Sequence, residues 1–221
     1  MQQDSTLVRN ASRRGFLSGA FKTGLAAAVL GAVPLSGRKV FGEEDPGCDD
    51  LAVLNYALTL EHLEAAFYVQ GLKRFSAKSF HSGALTSRLG PRVSGSLYEY
   101  LELIRDHEVE HVATLISVIE SLGGTPVGPC TYDFQYKDVM GFLQTAQALE
   151  NTGVMAYDGA IAQICNPDLQ TAGATIATVE ARHASYLNLV NGEIPFPAAF
   201  DTPKTMAEIL AIAGQFIVSC P

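Results

Sequence analysis

A chain of 221 residues with 48% hydrophobic and 17% charged residues can bury a sizeable core in one domain, which excludes intrinsic disorder as a description of the whole. The formal net charge is -8, and its distribution is uneven: six of the 15 basic residues but only one of the 23 acidic ones precede residue 43, leaving 9 against 22 in residues 43–221. A body so acidic repels phosphate, so no nucleic acid is expected as a partner.

Residues 12–18 read Ser12-Arg13-Arg14-Gly15-Phe16-Leu17-Ser18, and a weakly apolar stretch from Gly24 to Leu35 follows. The double arginine, the Phe-Leu pair and the apolar run, in that order, resemble a twin-arginine export signal. Residues 1–42 are then expected to be a removable signal peptide, and residues 43–221 a domain that the twin-arginine export machinery delivers, already folded, to the periplasm or another extracytoplasmic space. About twelve apolar residues fall short of the about 20 that span a bilayer, so no retained membrane span is expected. No Ala-x-Ala marks the cut, and Val40-Phe41-Gly42 is the nearest substitute. In an oxidising compartment the four cysteines, Cys48, Cys130, Cys165 and Cys220, read as two disulfides rather than a metal-thiolate site, because no Cys-x-x-Cys spacing occurs. Three pairings are open; Cys48 and Cys220, near the two ends of the mature chain, suggest a staple between them.

Apolar residues recur at helical spacing from Asp49 to Lys73, with Asp49 and Asp50 placed to cap the start. A second helix is expected from Ser96, which forms a capping-box pattern with Glu99, to Leu122 before Gly123-Gly124. A third runs from about Asp138 to Ile164. Asn166 and Pro167 then cap and open a fourth, which ends at Asn191-Gly192. A short fifth segment begins at Thr205, boxed by Glu208, and reaches about Ile217. With strand patterns nearly absent, the expected fold class is all-α: a four-helix bundle with a short fifth C-terminal helix. About fifteen residues between the second and third helices can run the length of such a bundle. The link from Arg74 to Gly95 is longer than a hairpin needs.

The chemistry is carried by a repeated pattern. Glu108-Val109-Glu110-His111 and Glu180-Ala181-Arg182-His183 each place a carboxylate and an imidazole three residues apart on one helical face. The first and third helices each carry a Leu-Glu pair, Leu60-Glu61 and Leu149-Glu150, and a tyrosine follows each glutamate by seven residues, Tyr68 and Tyr157. Counted along the bundle, the four glutamates fall within about 5 Å of one level. Four carboxylates and two imidazoles gathered in a core are unfavourable when uncompensated, and two divalent cations would neutralise them. His62 and His81 read as surface or supporting groups, and Glu64 and Glu110 as outward or supporting ones, each displaced around its helix from the chosen glutamate. Tyr68 and Tyr157 lie two turns from the centre, within reach to donate an electron or a hydrogen bond. A rival pattern overlaps the second helix: His107-Glu108-Val109-Glu110-His111 spells the His-Glu-x-x-His of zinc metallopeptidases, but it leaves Glu61, Glu150 and the Glu180/His183 pair unused.

The six positions resemble the ligand pattern of the ferritin-like superfamily of carboxylate-bridged di-iron proteins, one Glu from each of two helices and Glu-x-x-His from the other two. More narrowly, the run from Leu54 to Tyr68 (LNYALTLEHLEAAFY) and the tail from Phe196 to Ile217 resemble an exported ferritin-like family that includes desiccation-related proteins. The resemblance implies two iron ions, or alternatively two manganese ions. Glu108 and Glu180 would bridge them, Glu61 and Glu150 would be terminal ligands, and His111 and His183 would bind one ion each. It further implies oxygen or peroxide as the small-molecule substrate, with iron(II) oxidation or peroxide detoxification in stress protection. A non-catalytic protective or structural bundle is the alternative, and assembly into a homo-oligomer or a storage cage is left open by the sequence.

Overall fold

Asp49 opens the first helix, α1 (Asp50–Arg74): its carboxylate accepts the N–H of Ala52 at 2.9 Å, and Lys73 and Arg74 place positive charge at the other end, where the helix dipole favours it. The computed structural model describes residues 48–81 and 83–221, so the twin-arginine stretch, its apolar run and the expected cut lie outside the described residues. A single turn, α2 (Ala77–Phe80), leads into the long α3 (Gly83–Ser121). Beyond a crossover come α4 (Val139–Ala160), closed by a 3-10 turn over Ile161–Gln163, then α5 (Pro167–Asn191) and α6 (Met206–Ala213). Asp138 caps α4 by accepting the N–H of Gly141, and Asn166 caps α5 with Pro167 at its first position. Gly192 ends α5 with φ of 86°, a left-handed conformation that glycine adopts without strain, and Thr205 with Glu208 closes the capping box of α6. The body is an all-α helical bundle.

Polar contacts between the ends of the helices set their directions. Asp50, at the start of α1, accepts the N–H groups of Cys165 and Asn166 at 2.8 and 3.1 Å, which brings the α4–α5 turn to that end. Gly124, just past the end of α3, also abuts Leu51. Arg74, at the far end of α1, donates to the carbonyls of Tyr136 and Lys137, immediately before α4. The helices therefore run up, down, down, up, with α3 and α4 antiparallel to α1 and α5 parallel to it. The crossover between α3 and α4 runs the full length of the bundle. It follows α1 throughout: Asn55 holds Thr125 and Val127, the His62 Nε2–H donates to the Val127 carbonyl at 3.1 Å, and Phe67 meets Phe134 and Tyr136 edge-on. This strap covers the outer side of α1, so the helix is buried almost continuously from Leu60 to Leu63 and on through Glu64, Phe67 and Tyr68.

Three expectations need correction. The second long helix does not begin at Ser96. It runs from Gly83 and breaks at Gly90, whose φ of 73° and ψ of 161° are outside helical space, and Pro91 with its fixed φ restarts it. Ser96 and Glu99 thus lie inside the helix, and most of the presumed link from Arg74 to Gly95 is helical. The fifth segment is helical only to Ala213; a 3-10 turn over Gly214–Phe216 follows, and then Ile217–Ser219 (β2) pairs antiparallel with Thr131–Tyr132 of the crossover (β1). Finally, Cys48 does not pair with Cys220. Cys48 joins Cys165 where Asp50 grips the α4–α5 turn, and Cys130 joins Cys220 beside the small β-ribbon. Among the described residues no helix is long and apolar enough to cross a membrane.

The lower core is aromatic. Phe67 stacks on Phe142 with centroids 4.8 Å apart, and the Tyr68 and Tyr136 rings meet that pair edge-on. Gly71 of α1 makes room for it: a Cβ there would lie 2.0 Å from the Phe142 ring, which is fully buried. Alanine ordinarily favours a helix by about 1 kcal/mol over glycine. Overpacking against a ring with no space to retreat outweighs this gain, and Gly71→Ala is expected to lower stability by about 1–3 kcal/mol in denaturant unfolding. A neutral or stabilising result would show that Phe142 can shift.

Candidate metal centre

The four glutamates of the repeated pattern meet in the middle of the bundle. Glu61 from α1, Glu108 from α3, Glu150 from α4 and Glu180 from α5 are each fully buried, and His111 and His183 are 9% and 5% exposed. Helical spacing does the local work, since Glu108 with His111 and Glu180 with His183 stand one turn apart on inward faces.

The carboxylate oxygens divide between the two imidazoles. Nδ1 of His111 lies 3.2 Å from Glu61 Oε2, 3.2 Å from Glu108 Oε2 and 3.1 Å from Glu180 Oε1. Nδ1 of His183 lies 3.0 Å from Glu108 Oε1, 3.2 Å from Glu150 Oε2 and 4.0 Å from Glu180 Oε2. Glu108 and Glu180 therefore offer one oxygen to each half, while Glu61 and Glu150 face one half each. Two overlapping groups result, Glu61/Glu108/His111/Glu180 and Glu108/Glu150/Glu180/His183, in which one ligand atom per residue lies within 4.8 Å of the others. One N–H cannot satisfy three carboxylates, and Glu108 Oε1 and both oxygens of Glu180 are buried without a well-formed hydrogen bond. Such a donor set, hard oxygens with two imidazoles converging in a dry core, fits a pair of cations.

Each of the outer carboxylates is held by a tyrosine from the opposite helix. Tyr157 on α4 donates to Glu61 Oε1 and Tyr68 on α1 donates to Glu150 Oε1, both at 2.5 Å. Burial raises both phenols well above their ordinary value of 10.0, and the adjacent carboxylate charge raises them further, so their protons stay in place as donors.

The metal-free electrostatics show how unfavourable this gathering is. Burial raises the Glu108 carboxyl to about 7, and the charge of Glu150 adds to the rise against hydrogen bonds from His111 and His183. Glu180 rises well above 4.5 through burial and the charges of Glu108 and Glu150. Burial alone would lower His183, but its hydrogen bonds to Glu108 and Glu150 prevail and raise it to about 10. His111 is raised in the same way, against burial, by Glu108, Glu180 and Glu61. Glu61 goes down: burial opposes the change, and the hydrogen bond and charge of His111 with the Tyr157 hydroxyl overcome it. Protons thus stand in for missing positive charge.

Two residues have roles that sequence reasoning missed. Glu64 is 3% exposed and belongs to the interior, and its carboxyl is raised by burial and then by the charges of Glu180, Glu150, Glu108 and Glu61. The signal was present, because three residues along a helix turn the side chain only about 60° from Glu61. His107 is exposed and outside both ligand groups; its Nδ1 lies 2.9 Å from Nε2 of His183, with the rings stacked at 5.2 Å. The zinc-peptidase pattern requires His107 and His111 on one ion, and His107 belongs to neither ligand group. Glu110 is exposed, as is His81, whereas His62 is the buried anchor of the crossover described above.

A model of the ferritin-like domain matches residues 49–193, which include all six residues of the two groups. Protein rds1 of Schizosaccharomyces pombe is 26% identical over 175 residues, 78% of this chain; the chain spans 40% of that relative's length. Among solved structures, a conserved hypothetical protein, rv2844, from Mycobacterium tuberculosis is 21% identical with a TM-score of 0.45, over 64% of this chain and 96% of that one.

Proposed function

The chain belongs to the ferritin-like domain family, and on that footing we propose that it holds two iron ions, or two manganese ions in their place, and turns over oxygen or peroxide in stress protection. The observation that carries this reading is the division of the Glu108 and Glu180 oxygens between two imidazoles, each half completed by its own glutamate. When bound, an iron(II) pair supplies two electrons for dioxygen or peroxide, and a manganese pair supplies the alternating oxidation states that dismutate peroxide.

The residues prepare the site for that chemistry. Glu108 and Glu180 span both halves, Glu61 and His111 close one, and Glu150 and His183 close the other. The Tyr157 and Tyr68 hydroxyls hold the outer oxygens of Glu61 and Glu150, which turns the remaining oxygens inward and fixes their orientation. With Nδ1 of His183 committed to a cation, its Nε2–H donates to Nδ1 of His107, an arrangement that sets the tautomer and the ring plane. Full burial of the carboxylates keeps bulk water from competing for the inward oxygens.

Export belongs to the same proposal. The paired arginines and the two disulfides support folding and metal loading before delivery to an oxidising compartment. The test is metal analysis of protein from its native source, followed by anaerobic iron(II) loading and addition of oxygen or peroxide while absorbance is followed. About two ions per chain and a rapid absorbance change with oxidant consumption are expected. Protein that binds no redox metal, or loaded protein that stays silent towards both oxidants, would overturn the reading.

A further inference from the structure

Among the described residues, Glu64 is the one buried carboxyl near the centre that this chemistry does not use. It is 3% exposed and lies among the charges of Glu180, Glu150, Glu108 and Glu61. Tyr56, two turns earlier on α1, is a neighbour with its own unmet need: its hydroxyl is buried without a hydrogen-bond partner, and burial together with the Glu64 charge raises it. A buried carboxylate among four others is costly unless positive charge compensates it.

The opposite helix makes space for it. A Cβ on Gly153 would lie 3.1 Å from Glu64 Oε1 and 3.4 Å from Glu180 Oε2, so a bare stretch of α4 accommodates both oxygens. Glu180 Oε2 is the oxygen on the His183 side, its Oε1 being the one near His111. Glu64 therefore stands beside one particular half of the centre. Glu64 is not part of the group whose ligand atoms fall within 4.8 Å of one another, and glutamate has three torsions with which to move its carboxylate towards it.

We propose that Glu64 is a fifth carboxylate of the centre, a ligand to the ion enclosed by Glu108, Glu150, Glu180 and His183, admitted by the absence of a side chain at Gly153. This rests on the dinuclear reading above and deepens it. A fifth carboxylate raises the ligand charge at that half alone, so the two ions are unequal: the His183-side ion has one more anionic ligand and the tighter site.

Cobalt(II) tests this without reference to turnover, because its visible absorption reports the number of ligands. The full chain, stripped of metal, is titrated with cobalt(II) alongside Glu64→Gln and Gly153→Ala. The parent is expected to bind two ions of unequal affinity. Glu64→Gln should still bind two, with the tighter one weakened about tenfold or more and its bands changed towards a lower coordination number. Gly153→Ala should move the same ion, since its methyl group presses on Glu64. The thermal midpoint of metal-free Glu64→Gln should not fall, because the change removes a buried acid and keeps its shape. Identical affinities and spectra in Glu64→Gln and parent would overturn the proposal while leaving the dinuclear centre intact. A loss of metal-free stability with unchanged spectra would mark Glu64 as structural and overturn it as well. Failure of the parent itself to bind cobalt would remove both readings together.

Discussion

Glu108→Ala is expected to lose both metal ions, whereas Glu61→Ala loses one. Glu108 directs Oε2 towards His111 and Oε1 towards His183, so its removal takes a ligand from each half at once. Glu61 faces His111 alone, and its removal leaves Glu108, Glu150, Glu180 and His183 as a complete group. Metal content after dialysis should therefore fall from about two ions per chain to near none in the first variant and to about one in the second. Thermal unfolding gives a second reading. A ligand present at 100 times its dissociation constant stabilises the folded state by about 2.7 kcal/mol per site, so metal should raise the midpoint of the parent, raise that of Glu61→Ala by less, and leave Glu108→Ala where it was. Equal losses in the two variants would show that the oxygens do not divide between two ions as their positions indicate.

The contrast between Glu108 and Glu64 shows where sequence suffices and where it does not. Glu-x-x-His places two side chains on one face of one helix, a relation set by 3.6 residues per turn and independent of anything distant. Levels of Glu61, Glu108, Glu150 and Glu180 along their helices follow from caps that are also local: Asp49, Asp138, Asn166 and Gly192 are all where the pattern placed them. Glu64 shares the inward face of Glu61 to within about 60°, but its place in the interior also depends on the bare stretch of α4 at Gly153, against which its Oε1 lies. No local pattern encodes that. Disulfide pairing is hidden for the same reason, since Cys48 meets Cys165 only because Asp50 receives the α4–α5 turn. The start of α3 departs from a local signal, because Ser96 and Glu99 form a valid cap pattern that the upstream Gly90-Pro91 break makes unnecessary.

Metal-free protein is expected to lose stability as pH rises, and metal-loaded protein to show the opposite trend. Glu108 has an ordinary value of 4.5 and is raised to about 7 in the folded state, so the native state binds more protons than the unfolded one between those values. Stability from this group is fully present below 4.5 and is lost as pH climbs through about 7, a change of about 3 kcal/mol at 1.36 kcal/mol per unit. His183, raised from 6.5 to about 10, acts in the same direction: its contribution is complete below 6.5 and disappears as pH rises through about 10. The two groups face each other at 3.0 Å, so their contributions overlap rather than add. Glu61, lowered from 4.5, opposes them only in acid, where its contribution is lost as pH falls through its folded value. The metal-free midpoint should thus peak near pH 5 and decline towards pH 9. Cations must displace the protons that His111, His183, Glu108 and Glu180 hold, so binding strengthens with pH and the metal-induced rise in midpoint grows over the same interval. Thermal unfolding with chelator and with added metal, across pH 5 to 9, should give curves that diverge upward in pH. Parallel curves would mean that the bound metal and the titrating carboxyls occupy different places.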